Sequence, residues 1–338
     1  MESGSHCPST HKDRTYERAA MSTTTTGVRR LALTISIITT AAIALTSCAG
    51  SSYGTDAFPK TSAFVFERFN RGQFLDTFTW DKPEAGITLE AMAQLSAVGF
   101  DKAKQARAIS FANAHTDLFD SIGLKANYIF AAHALGFADE PSVRSAAKDL
   151  VAGIGDSGSL GESNNFVYSW VVFALLAEDE KVLANQVALK LSELAEADGG
   201  YKYVQDDQQS ANAADVTAFA VLALQASSGT GDSAAEASKA SALSKALSWL
   251  VASEIDGDHW NSFGDVDVSG TAYATMALHS QEVDIKDELA WFKSRISSVD
   301  NGIYAPWTEP NGDVFSTAQS LLALNELSFI DVLQHKAN

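Results

Sequence analysis

With 338 residues and 42 acidic against 24 basic side chains, this chain carries a net charge of −18 and repels nucleic acid and anionic lipid headgroups. Its only two cysteines, Cys7 and Cys48, sit near the N-terminus, so neither a disulfide framework nor a cysteine-based zinc site is available further on. An apolar content of 46% is enough for one substantial core, and only six prolines interrupt the chain, so long helices are permitted.

The first recognisable element is an export signal. Residues 1–20 are polar, which makes Met21 the expected start. Arg29 and Arg30 precede the apolar run 31–45, which ends in Leu45-Thr46-Ser47-Cys48. A basic start, an apolar stretch and small residues before a cysteine make a cleavable signal over residues 1–47, too short for a membrane-spanning helix. The Leu-Thr-Ser-Cys ending resembles the bacterial lipobox. That resemblance implies cleavage before Cys48, acylation of its thiol and amine by fatty-acid chains such as palmitate, and tethering at the extracellular face of the cell membrane. The alternative is an ordinary signal peptide followed by an incidental cysteine. Arg29-Arg30 also resembles a twin-arginine export signal. Residues 48–63 are expected to be the lipidated tether, 64–332 the folded domain and 333–338 a short tail.

Beyond residue 70 the chain repeats itself. Six segments end in a small residue or glutamine followed by Leu95, Leu135, Leu175, Leu224, Leu278 and Leu324, spaced by 40, 40, 49, 54 and 46 residues. Seven positions before each leucine stand Thr88, Tyr128, Tyr168, Thr217, Thr271 and Thr317. Four before stand Ala91, Ala131, Val171, Ala220, Ala274 and Ser320, on the same helical face. Five before stand Glu90, Phe130, Trp170, Phe219, Tyr273 and Gln319, pointing elsewhere. These segments are apolar nearly all round, which predicts buried helices. Between them, 102–114, 143–151, 181–196, 235–250 and 287–296 mix charge with apolar residues at helical spacing, which predicts helices with one exposed face. Each repeat therefore pairs an inner with an outer helix. Residues 227–237, rich in Ser, Gly and Ala, read as a surface loop.

Turn residues and an aromatic precede several inner helices: Asp198-Gly199-Gly200-Tyr201, Asp256-Gly257-Asp258-His259-Trp260 and Asp300-Asn301-Gly302-Ile303-Tyr304. Gly72-Gln73-Phe74 is a looser version. Six helical hairpins, glycine–aromatic turns and the Asp215-Val216-Thr217-Ala218 start resemble the repeats of the terpenoid cyclase and prenyltransferase superfamily. That resemblance covers roughly residues 64–330 and implies an all-α fold, an α/α toroid. Relatives in the same superfamily include cobalamin-binding proteins and thioester domains. Fold alone does not assign an activity.

The superfamily's chemistry is poorly matched by these residues. A squalene-type cyclase uses Asp-x-Asp-Asp, with the middle aspartate protonated. Here Asp265-Val266-Asp267-Val268 lacks the fourth aspartate, and Asp215 stands alone in another repeat. Asp215 and Ser269 are alternatively helix N-caps, each two residues before a threonine. The prenyltransferase zinc site needs a cysteine that is absent, and the Gly-Cys-Gly-Glu-Gln thioester segment is missing. A glycosidic carboxylate pair is conceivable among Asp81, Glu84, Glu90, Asp265 and Asp267. Glu90 either serves a site or caps an open edge of the first repeat, as Gln319 would the last. The scattered histidines show no ligand spacing.

Trp80, Tyr201, Tyr203, Trp260, Phe263, Tyr304 and Trp307 all lie in loops before inner helices, which predicts that they gather at one end of the ring. They either plug turns or form a binding surface. The expectation is a monomeric, membrane-tethered binding protein with no cofactor, no metal and no nucleic-acid partner. Its small-molecule or glycan ligand would meet Trp80, Tyr201, Tyr203, Asp215, Trp260, Asp265, Asp267, Tyr304 and Trp307. The alternative is a secreted cyclase-like or glycan-cleaving enzyme using Asp215, Asp265 and Asp267.

Overall fold

The computed structural model describes residues 56–69, 84–161, 164–204, 211–262 and 264–334. Cys48, Trp80, Phe263 and the Gly72–Phe74 turn lie outside them. The helices, in chain order, are α1 (Pro59–Glu67), α2 (Ala85–Ala97), α3 (Lys102–Ala114), α4 (Ile122–Leu135), α5 (Pro141–Gly153), α6 (Asn165–Ala177), α7 (Lys181–Glu193), α8 (Ala214–Ala226), α9 (Ser233–Ser253), α10 (Val268–Ser280), α11 (Lys286–Ser294), α12 (Val314–Leu324) and α13 (Phe329–Gln334). A two-stranded hairpin, β1 (Asn261–Ser262) and β2 (Asp265–Val266), precedes α10.

The fold is an all-α toroid. The even-numbered helices α2 to α12 form the inner layer; each packs on the next, and α12 packs back on α2. The six inner helices are buried along almost their whole length, as their all-round apolar sequences require. The outer helices bury one stripe: α7, for example, covers Ala184, Val187, Ala188 and Leu191. The ring is closed, so Glu90 and Gln319 do not cap open edges. They meet across the seam instead, where Gln319 Nε2 donates to Glu90 Oε2 at 3.2 Å. Gln94 completes the junction. Its Oε1 accepts the Leu322 N–H at 3.0 Å, and its Nε2 donates to Glu90 Oε1 at 2.9 Å.

The threonine and tyrosine column explains how successive hairpins are joined. Tyr168 Oη, Thr217 Oγ1, Thr271 Oγ1 and Thr317 Oγ1 accept the backbone N–H groups of Leu160, Tyr201, Trp260 and Ile303 at 3.3, 2.9, 3.1 and 2.8 Å. In four of the six repeats one hydroxyl thus holds the incoming turn against the next inner helix, and a buried N–H without such a partner would be costly. Gly199 fits this turn because its φ is +95° and a Cβ there would lie 2.5 Å from the Lys245 carbonyl oxygen.

Several expectations need correction. Helix α1 begins inside the segment expected to be tether. It packs on α12 and supplies the outer helix that the first repeat pattern lacks. Its Phe64 ring lies over Gly302 and Gly312, where any Cβ would collide with it. The 227–237 insert is only half loop, because Asp232 caps α9 through the Ala234 and Ala235 N–H groups. The rest of that insert is stitched to α9. Glu236 accepts the Gly229 and Gly231 N–H groups, and the buried Lys239 ammonium donates to the Ser227 carbonyl at 2.7 Å and pairs with Glu236. A cation is tolerated there because every neighbour is an acceptor.

The largest departure is α13. Phe329 enters the bore and lies 5.3–5.9 Å from the rings of Phe130, Trp170, Phe173, Phe219 and Tyr273. Four of those five belong to the column five residues before each repeat leucine. That column faces the bore, and the C-terminal helix plugs it.

Candidate functional site

The opposite end of the bore is open. The inner-helix N-termini surround a cavity of about 510 Å³ lined by residues from all six inner helices or the loops just before them. Two sequence columns supply much of its wall. Nine residues before the leucines stand Gly86, Phe166, Asp215, Ser269 and Phe315, and five before stand Glu90, Trp170 and Gln319; all eight line the cavity. Positions i and i+4 share a helical face, so these two columns form one surface. That spacing was present in the sequence and identifies Phe166, Trp170, Phe315 and Gln319, which the loop-based reading passed over. Glu84, Ser121, Asn127, Asn164 and Ser316 add to the polar lining.

Of the nine residues singled out from sequence, the structure brings Tyr203, Asp215, Asp267 and Trp307 to this cavity. Trp307 is 67% exposed on the rim. Tyr203, 44% exposed, faces the Phe166 ring at 6.3 Å. Tyr201 and Trp260 are fully buried behind the wall. Trp260 Nε1 donates to the Leu250 carbonyl at 2.9 Å, tying the turn to the outer helix α9. Tyr304 is shifted by one position, because Ile303 takes the turn site equivalent to Tyr201 and Trp260. Its ring faces Arg295, 5.4 Å away on the outer side. Asp265 is exposed on β2 and does not reach the cavity. Trp80 lies outside the described residues.

The helix starts also differ from expectation. Asp267, not Ser269, caps α10 by accepting the Gly270 N–H at 2.8 Å, and it also accepts the Ser262 hydroxyl. Asp215 lies within the first turn of α8, whose N-cap is Ala213. The reason lies in the backbone register: the repeat threonine bonds the residue four before it, as Thr217 N–H does to Ala213 and Thr271 N–H to Asp267. Asp215 is consequently free of capping duty; its Oδ1 accepts the adjacent Val216 N–H at 2.8 Å.

Electrostatics set this end apart. Burial pushes Asp215 up to about 7, and the nearby Asp267 charge adds to the shift. Glu90 is likewise pushed up to about 7 by burial, although Tyr273, Gln319 and Gln94 donate to it and pull the other way. Tyr273 Oη reaches it across the bore at 2.8 Å. Among the described lining residues there are four carboxylates, those of Glu84, Glu90, Asp215 and Asp267, and no lysine, arginine or histidine. No group of three or more His, Cys, Asp or Glu among the described residues is arranged to hold a metal ion. The site therefore offers aromatic faces, acceptor oxygens and two acids poised near neutrality.

Neither a protein-family model nor any curated protein matches this chain. Solved structures do. Haptocorrin in complex with Cbi superposes with a TM-score of 0.55 at 15% identity, over 81% of this chain and 67% of that one. Unsaturated glucuronyl hydrolase from Bacillus sp. GL1, responsible for the degradation of glycosaminoglycan, gives 0.57 at 12% identity, over 80% and 95%. A UGL variant with dGlcA-Glc-Rha-Glc gives 0.55 at 13% identity, over 80% and 94%. At these identities the likeness is one of fold, and all are helical toroids.

Proposed function

We propose that this is a lipid-anchored binding protein of the extracellular face of the bacterial cell membrane, holding a small neutral or cationic ligand in the mouth of its toroid. One observation carries the reading. The open, 510 Å³ cavity combines exposed aromatic rings with acceptor oxygens and has no basic side chain among its described lining residues. Flat rings suit sugar chains or a corrinoid, and the acidic lining disfavours anions. Two fold neighbours were solved with a ligand, Cbi in one and a sugar chain in the other, which supports the reading. Likeness to the cyclase repeats rests on segments such as 215–224 and bears on ancestry more than activity.

In a titration screen of glycans and corrinoids, Trp307→Ala or Tyr203→Ala should weaken any ligand the wild type binds by roughly tenfold, about 1.4 kcal/mol. Trp307 is mostly exposed, so its loss leaves the fold intact. A ligand bound equally by the wild type and both variants does not sit in the mouth, and the reading then fails.

The anchor rests on Leu45-Thr46-Ser47-Cys48. Among the described residues no helix is long and apolar enough to cross a membrane. Cys48→Ala should abolish labelling by a radioactive fatty acid and release the protein from the membrane fraction. Unchanged labelling and retention would refute the anchor.

A second reading, glycan cleavage, is favoured by one observation: burial holds Asp215 near neutrality with a second carboxylate, Asp267, nearby, as a general acid requires. Loss of sugar release in Asp215→Asn, from a substrate the wild type cleaves, would establish it.

A further inference from the structure

The floor of the mouth contains two carbonyl oxygens with nothing to accept. Gln319 and Asn127 are 6% and 5% exposed, both line the cavity, and neither Gln319 Oε1 nor Asn127 Oδ1 has a hydrogen-bond partner. Their amide orientations are fixed by their nitrogens. Gln319 Nε2 donates to Glu90 Oε2 at 3.2 Å, and Asn127 Nδ2 donates to the Gly86 carbonyl at 3.0 Å. Buried oxygens of this kind are normally paired. A bound molecule rich in N–H donors would pair them.

Charge narrows the class further. A neutral polyol could donate hydrogen bonds but would leave the carboxylates around it uncompensated, and an anion would be repelled. An ammonium group answers both needs. Above the floor, the rings of Trp307, Phe315 and Tyr203 are 67%, 41% and 44% exposed. Such rings pack against a flat apolar body, and their faces also attract a cation.

We infer that the occupant of this mouth carries a protonated amine on a flat apolar body, with the ammonium among Asp215, Gln319 and Asn127 and the body against the rim rings. The inference rests on the mouth being the ligand site and narrows its ligand to an organic cation. The titratable groups that line the mouth are Glu84 and Glu90 of α2, Tyr203 of the loop before α8, Asp215 of α8 and Asp267 at the start of α10, with the buried Tyr273 bonded to Glu90. None of them is a cation, and the one donor among them that already engages a carboxylate is Tyr273, on Glu90. Burial holds Asp215 and Glu90 near 7. A cation favours their ionised forms, so its affinity rises as pH increases through that range.

The test uses calorimetric titration of the full mature chain with tryptamine and its N-acetyl derivative, which share a ring and differ in charge. Tryptamine stays protonated to about pH 10, as a lysine amine does. At about pH 8 the wild type should bind tryptamine at least tenfold more tightly than N-acetyltryptamine, and the gap should narrow towards about pH 5.5. Asp215→Asn should remove most of the preference, while Trp307→Ala should weaken both ligands alike. Should Asp215→Asn fail to fold, the pH dependence of the gap in wild type and Trp307→Ala decides the matter. Equal binding of both indoles, or a preference that survives Asp215→Asn, overturns the inference. So does Trp307-dependent binding of neutral oligosaccharides with neither indole bound, although the mouth then remains the site. Failure of every indole, oligosaccharide and corrinoid to bind overturns both readings together.

Discussion

Phe329→Ala should cost about 3–5 kcal/mol of unfolding free energy, the range for deleting a buried aromatic ring. Phe329 is fully buried and touches five other rings in the bore. Those rings come from α4, α6, α8 and α10, all fixed by the closed ring, so they cannot collapse into the space left behind. The melting temperature should fall by roughly 2 °C or more per kcal/mol for a domain of this size. Phe329→Leu should recover a large part of the loss, since it refills most of the volume. Denaturant titration of both variants checks this. A cost below about 1 kcal/mol for the alanine variant would mean that α13 does not hold the bore.

The second large effect is a dependence of stability on pH that runs opposite to ordinary acid denaturation. Glu90, Asp215 and Glu288 are all pushed up to about 7, in each case chiefly by burial. Unfolded, these groups titrate at about 4. A raised carboxyl prefers its proton in the folded state. The stability it contributes is therefore complete below about pH 4 and is lost progressively as pH rises through 7. For Glu90, 3% exposed, the shift corresponds to roughly 3 kcal/mol between those limits. The protein should melt higher near pH 5.5 than near pH 8. Glu90→Gln should flatten that profile, since an amide carries no charge to bury at the seam of α2 and α12. Glu90→Ala should lower stability at every pH, because it strands the Tyr273 hydroxyl and the Gln319 amide nitrogen and leaves Gln94 Nε2 only the Gln319 carbonyl. Melting curves across this range decide it; a Glu90→Gln profile as steep as the wild type removes Glu90 as a source of the slope.

The relation between the two ends of the bore bears on both results. One end is filled by aromatic rings around Phe329; the other is open and lined by acids and acceptors. Glu90 and Tyr273 lie between them, so the pH response of the fold and any ligand response of the mouth share a residue. A cation bound near Asp215 would raise stability most where these acids are ionised.

The repeat and the two helical layers were legible in the residues themselves. Small residues and leucines at helical spacing leave an inner helix few alternatives, because a helix apolar on every side must be surrounded. The glycine–aromatic turns and the threonine–tyrosine column were legible too, but that four of its hydroxyls accept turn N–H groups came from the structure. Which aromatics plug a turn and which face the cavity was not legible. Tyr201 and Trp260 carry the same turn signature as exposed ring residues would, and only the outer helices packed behind them make them core. The Glu90–Gln94–Gln319 seam and the Phe329 plug were decided by tertiary structure alone. Each joins residues more than 100 positions apart, and local periodicity holds no information about which ends of a repeat array meet. The bore-facing role of the Glu90 column lay between these cases: its spacing was visible, but its meaning required a closed ring for it to face.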